Sequence, residues 1–193
     1  MARPKEHKPE TILLAALSVF HEEGVTVSTA RIAKAAGVSN GSLFNYFPTK
    51  QALIDALYVS IKSEMAAAVG EPDHAKPIEH RVRQIWDRWF EWARDNREAH
   101  HVMNLLHQAG LASADAQAVG NQHFEGSVAV FDEALAAGVL VDLPIDYLGA
   151  LVQQQIDQAV VSELDDHQAE VAFGVLWNGI TRNSNPPSTK ASQ

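Results

Sequence analysis

The sequence predicts an all-α protein, and three observations carry that expectation. Apolar residues recur at spacings of three and four along most of the chain, strand-like alternation is absent, and glycine or proline interrupts the periodic stretches at helical lengths. With 193 residues, 46% of them apolar, the chain has material for one generous domain or two small ones. Charged residues are only 20% and the apolar ones are spread throughout, so disorder is expected only at the ends. The absence of cysteine excludes disulfides, thiolate metal sites and a cysteine nucleophile, and it fits a reducing compartment.

The first helix is expected over Pro9–Glu23, where Ile12, Ala16, Val19 and Phe20 fall on one side and Gly24 stops the run. Ser28 then caps a short helix with Ile32, Ala33 and Ala36 inward, ended by Gly37. Ser39 caps a third helix that closes before Pro48. Thr49 caps a fourth, with Leu53, Ile54, Leu57 and Ile61 on one side, which leaves the head near Leu57 and runs to the linker Gly70–Pro77. Beyond the linker, Ile78, Val82, Ile85, Trp86, Trp89, Phe90 and Ala93 form a broad apolar stripe with Trp92 at its edge. Further helices are expected over Glu98–Ala109, Ala114–Ala137, Ile145–Leu164 and His167–Thr181. The domain boundaries follow as 1–57 for a head (motif 28–47), 58–183 for a body and 184–193 for a disordered tail. There is no internal repeat.

Charge is distributed unevenly. The net value is −9, yet residues 1–50 carry six Lys/Arg against four Asp/Glu, a balance of +2, leaving nine against twenty, or −11, for the remainder. Contact with a polyanion is therefore expected of the head, with the acidic body held away from phosphates by repulsion. Arg3, Lys5 and Lys8 ahead of Ile12–Phe20 imitate a signal peptide, but Ser18 breaks the run and His21-Glu22-Glu23 follows in place of a cleavage site. No stretch approaches the ~18 apolar residues of a membrane helix. A soluble, cytoplasmic protein is expected.

Residues 28–47 read STARIAKAAGVSNGSLFNYF, two short helices joined by Gly37-Val38-Ser39. Gly37 suits the left-handed conformation of a tight turn, Val38 can plug the angle between the helices, and Ser39 can satisfy amides at the start of the second. On that second helix Ser42, Asn45 and Tyr46 share a polar side, while Leu43 and Phe47 lie on the other. A short helix held by its apolar side with its polar side free is what major-groove readout of double-stranded DNA needs, and Gly41 allows close approach.

The head resembles the TetR family of transcriptional regulators. The resemblance is carried by the first helix from Ile12 to Gly24, Ile32-Ala33 with Ala36-Gly37-Val38-Ser39, Gly41-Ser42-Leu43-Phe44, Tyr46-Phe47, and Lys50 followed by Leu53. It covers about residues 10–57; the rest matches only in being helical with the right length and order. The resemblance implies a three-helix DNA-binding head, a connecting fourth helix and a helical ligand-binding and dimerisation body. It also implies a ligand-responsive homodimeric repressor, not an enzyme, acting on a two-fold related operator. Carried over by position, Ser28, Thr29, Ser39, Asn40, Gly41, Ser42, Asn45, Tyr46 and Lys50 form the DNA-binding set, with Lys50 on a phosphate. Two positions depart from the family pattern: Phe44 stands where tyrosine is usual, and Ala30 where some members carry a longer base-reading side chain, leaving Arg31 as a substitute.

In the body, Trp86, Trp89, Met103, His107, Phe124 and Phe131 are candidates to line a pocket for a small-molecule effector, although aromatics at helical spacing equally build core. His100, His101, His107 and His123 raise a metal site, but no HExxH or His-x₃-His pair occurs, and neither a metal nor a cofactor is expected. Gln153, Gln154, Gln155 and Asp157 lie in an otherwise apolar helix, either across a dimer interface or in a pocket. The last two helices, with Leu148, Leu151, Val152, Ile156, Ala159 and Val160, then Ala172, Val175, Leu176, Gly179 and Ile180, build either core or, as the resemblance favours, a four-helix dimer interface. Two alternatives of different class stand beside this reading: a helical-bundle enzyme or metal-binding protein using the histidines, and a protein-interaction module whose head no longer binds DNA.

Overall fold

The computed structural model describes residues 9–182. The basic residues Arg3, Lys5 and Lys8 and the expected tail 184–193 lie outside that range. Ten helices occupy the described residues: α1 (Pro9–Glu23), α2 (Thr29–Ala35), α3 (Asn40–Tyr46), α4 (Lys50–Val69), α5 (Ile78–Asp95), α6 (Arg97–Gln108), α7 (Ala114–Gln122), α8 (Glu125–Ala136), α9 (Ile145–Val161) and α10 (Asp166–Ile180). The all-α expectation holds. The one extended pairing among these residues is an isolated bridge between Leu140 and Thr181, where Val141 N–H donates to the Ile180 carbonyl at 2.8 Å and Arg182 N–H to that of Val139 at 2.9 Å. No helix among the described residues is long and apolar enough to cross a membrane.

Packing divides the chain into two units, and the division follows contacts rather than the motif boundary at residue 57. The first gathers residues 9–68 with 92–125, the second 69–91 with 126–182. In the first unit α1 packs on both α2 and α6. Ile12, Ala16 and Phe20 of α1, Ile32 of α2, Leu43 of α3 and Leu53 of α4 are all fully buried. Removing that much branched and aromatic surface from water stabilises the head by about 1.5–3 kcal/mol for each large side chain. Lys62 is a half-buried cation on α4. Its ammonium lies 4.6 Å from the Phe124 ring centroid, and Gly120 makes room for its stem, since a Cβ there would sit 3.2 Å from Lys62 Cγ. Burial pushes its amine down to about 8.

In the second unit Trp86 of α5 is buried, stacked on Phe90 at 5.3 Å and set edge-on to Phe173 of α10 at 5.9 Å. Arg81, also on α5 and buried, makes a two-pronged ion pair with Glu133 of α8, both bonds 2.6 Å. Helices α9 and α10 pack together, with the Gln155 amide donating to the Ala172 carbonyl. Asp165 and Gln168 close a capping box at the head of α10, a start signal that the expected start at His167 missed.

One expected helix divides in two. The stretch Ala114–Ala137 breaks between Gln122 and Glu125, with His123 closing α7 and the Phe124 amide turned back to the Asn121 carbonyl at 2.9 Å. The break has a packing cause. Ala116 and Gly120 of α7 are buried in the first unit, whereas Val130, Phe131 and Ala134 of α8 are buried in the second.

Candidate nucleic-acid interface

The turn between α2 and α3 is built by local chemistry. Ser28 caps α2, its Oγ accepting from the Arg31 amide at 3.3 Å. After α2, Gly37 takes φ +70°, a left-handed value that strains any residue with a Cβ, and the Val38 amide returns to the Ala33 carbonyl at 2.9 Å. Ser39 caps α3, accepting from the Ser42 amide at 3.0 Å. Leu43 is fully buried and Phe47 nearly so, anchoring α3 by one side.

The opposite side is open. Asn40, Gly41, Asn45 and Tyr46 are exposed, as are the neighbouring Phe44 and Ala30. A Cβ at Gly41 would meet nothing closer than Ser39 Oγ at 3.8 Å, so the fold itself does not require glycine there. The helix surface is left low at that point, which admits a close-lying partner. Ser42 differs from Asn45 and Tyr46. It is half-buried, and its hydroxyl lies 2.9 Å from Ser39 Oγ, so the two serines form one capping pair. Thr29, in the first turn of α2, is half-buried.

Lys50 is placed more tightly than its sequence position implied. Its Nζ donates to the carbonyls of Val25 at 2.8 Å and Val27 at 2.7 Å, tying the start of α4 to the loop between α1 and α2. Two of its three donors are thus engaged within the chain. Arg31, the alternative base-reading cation, pairs with Glu23 at 2.6 Å with both side chains well exposed, an arrangement of modest strength that a competing anion can replace. Between Glu23 and Asp55 there is no acidic residue, while Arg31, Lys34 and Lys50 are all basic. This stretch therefore presents a positive field within a chain of net charge −9. Lys34, exposed in the last turn of α2, adds a cation that the motif residues do not include; the acid-free stretch is the signal that finds it.

The six candidate effector-pocket residues are not gathered in one packing unit. Trp86, Trp89 and Phe131 belong to the second; Met103, His107 and Phe124 belong to the first. Phe131 and Met103 are buried, His107 is exposed, and Phe124 covers Lys62. In the second unit four buried polar atoms have no hydrogen-bond partner: Arg81 Nε, Trp86 Nε1, Trp89 Nε1 and Gln155 Oε1. Among the histidines, His21 and His101 meet edge to face at 5.3 Å. His101 is held below its ordinary value by burial first and then by His21 and His100. No three His, Asp or Glu side chains among the described residues group as a metal site.

Comparison with known proteins places this geometry. Residues 12–57 match the family model described as bacterial regulatory proteins, tetR family. Over 93 residues the chain is 30% identical to the nucleoid occlusion factor SlmA of Glaesserella parasuis, a match spanning 48% of this chain and 46% of that protein. The SlmA of Mannheimia succiniciproducens is likewise 30% identical over 94 residues, covering 48% and 44%. The match thus spans a little under half the length of these curated relatives. Over nearly the whole chain the fold is similar to a protein from Shewanella sp. PV-4 described as a TetR-family transcription regulator, with TM-score 0.78, 25% identity and coverage of 91% and 98%. A TetR-family regulator from Haemophilus influenzae matches with TM-score 0.73 at 24% identity, covering 90% and 96%.

Proposed function

We propose that this chain, whose residues 12–57 match the tetR family model and whose fold is similar to that of TetR-family regulators, is a sequence-specific DNA-binding transcriptional regulator. The observation that carries the reading is α3, anchored by Leu43 and Phe47, with Asn45 and Tyr46 exposed, in a stretch free of acids. On this reading Lys34 and the exposed amides and hydroxyls position the helix on phosphates, Asn45 reads a base edge, and Lys50 holds the loop on which the motif rests.

The DNA-bound form is a homodimer joined through α9 and α10. Tyr147, Val161, Val171 and Val175 are more than half exposed there, and no Cβ at Gly149, Gly174 or Gly179 would meet another atom, so a partner helix can approach closely. A small-molecule effector in the second unit, hydrogen-bonded to the unpartnered Trp86, Trp89 and Gln155 atoms, would shift the dimer between two spacings of the recognition helices and so repress or release its operator. A protein working on DNA in this way acts in the cytoplasm.

Selection of bound duplexes from a random pool tests the core of the reading. Two-fold related half-sites are expected. A pool with no enrichment, and no salt-dependent affinity for any duplex, would sink it. The similarity to nucleoid occlusion factors favours a second reading, in which the chain works from DNA on nucleoid occlusion rather than at promoters. Genome-wide occupancy separates the two, since promoter-proximal sites belong to the first and sites dispersed without regard to promoters to the second.

A further inference from the structure

We propose that a cleft formed by α1, α4 and α6 in the first unit binds a lipophilic organic cation of the alkylammonium class. The cleft has a volume of about 240 Å³, and none of its lining residues belongs to the DNA-binding set. Two helical stripes line it with the same spacing: Glu10, Leu13, Leu14 and Leu17 on α1, and Leu57, Ser60, Ile61 and Glu64 on α4. Each stripe runs i, i+3, i+4, i+7, which is one face of a helix about 10 Å long. Each is apolar with a carboxylate at one end. Ala99 of α6 adds a small apolar wall.

The α1 stripe is not the one that builds the head. Ile12, Ala16, Val19 and Phe20 are buried in the core, whereas Leu14 remains 67% exposed and Leu13 and Leu17 half-exposed. A helix with a second apolar face has surface still to cover. The chemistry of the rim selects the occupant. Among the described residues no lysine, arginine or histidine lines the cleft, Glu64 accepts a 3.4 Å bond from Ser60 Oγ, and no basic side chain pairs with Glu10. Two carboxylates without a basic partner among the described residues, beside leucine and isoleucine, favour a ligand that brings positive charge and hydrocarbon together, since their attraction for an ammonium strengthens as the hydrocarbon displaces water. The volume is below that of drug-sized pockets and suits a short single-chain amine better than a peptide helix.

Calorimetric titration of the full chain with n-octylammonium, n-octanol and n-octanoate, each below its micellar concentration, tests the site. Saturation at one octylammonium per chain is expected, with octanol at least tenfold weaker and octanoate weaker still. The double variant Glu10→Gln, Glu64→Gln should lose at least tenfold in octylammonium affinity and leave octanol unchanged. Leu14→Lys, at an exposed position, tethers an ammonium at the mouth and should abolish binding with helical content intact. Equal affinity for amine and alcohol, undiminished binding to Leu14→Lys, or uptake of many amines per chain without saturation would each overturn the proposal.

Discussion

Two of the surfaces that packing within this chain leaves open are chemical opposites. The helices α2 and α3 expose Lys34, Asn40, Asn45 and Tyr46 in a stretch with no acid between Glu23 and Asp55. The outer faces of α9 and α10 present Val161, Val171 and Val175, 77%, 55% and 66% exposed, with no charge among them. An apolar face left in water is unfavourable and finds rest only against another apolar surface. A polar, cation-bearing face is at ease in water and is drawn to an anion mainly by charge. On the proposed reading the difference assigns the two faces unlike partners, DNA for the pair of 7-residue helices and a second copy of the chain for the helices of 17 and 15 residues.

The comparison is broken most forcefully on the apolar side. Val171→Glu with Val175→Glu should convert a dimer to monomers in sedimentation experiments, with circular dichroism unchanged. The same variant should lose on the order of 10²-fold in affinity for a two-fold operator, because the second head no longer binds intramolecularly. A variant that still sediments as a dimer would show that α9 and α10 do not form the interface.

On the polar side, Lys50→Ala should lower stability by about 1.5–3 kcal/mol, the worth of charged hydrogen bonds to the Val25 and Val27 carbonyls. Its effect on DNA tells whether the lysine also touches phosphate. A reduction of about one in the slope of log affinity against log salt means a phosphate contact; weaker binding at an unchanged slope means a positioning role. Asn45→Ala is expected to relax preference at one base pair by about 1–3 kcal/mol. Uniform weakening across all sequences would remove Asn45 from base readout.

Lys62→Met serves as a control at a residue that belongs to neither face. Burial depresses the folded value to about 8, so between there and the unfolded value near 10.5 the unfolded chain binds more protons. The native lysine therefore costs stability below pH 8, and that cost fades as pH rises toward 10.5. The variant should be more stable by about 1–2 kcal/mol at pH 7, the Phe124 ring offsetting part of the burial penalty, with no difference near pH 10.5. DNA affinity and oligomeric state should not move. The smallest effect is expected of Ser39→Ala, about 1 kcal/mol from loss of the cap on α3.

Much of the head was legible before any coordinates. The end of α1 at Glu23 was legible, because four buried positions at helical spacing and Gly24, with φ +80°, leave little freedom. Ser28, Gly37 and Ser39 marked the boundaries of α2 and α3 for equally local reasons. The site was legible in kind but not in detail. Asn45 and Tyr46 point outward by periodicity alone, whereas the engagement of Ser42 with Ser39 and of Lys50 with two carbonyls depends on where neighbouring loops close.

The break at His123-Phe124 was invisible for a different reason. Gly120, Asn121 and Gly126 are weak helix formers around it, yet none fixes a stop at that point, and the division coincides with the boundary between the packing units that bury α7 and α8. The scattered body candidates tell the same story, since Trp86 and Phe124 share apolar character but belong to different cores.

By itself the sequence determined the helical class, the turn of the motif, the buried side of α3 and the concentration of positive charge near the head. All are set by residues within a few turns of one another, where spacing, caps and glycine conformations act. Tertiary structure alone decided which cations are already engaged, which polar atoms stay unpartnered, where the second face of α1 meets α4, and which apolar faces remain uncovered. Those are outcomes of long-range packing, in which residues far apart in the chain compete for the same buried space.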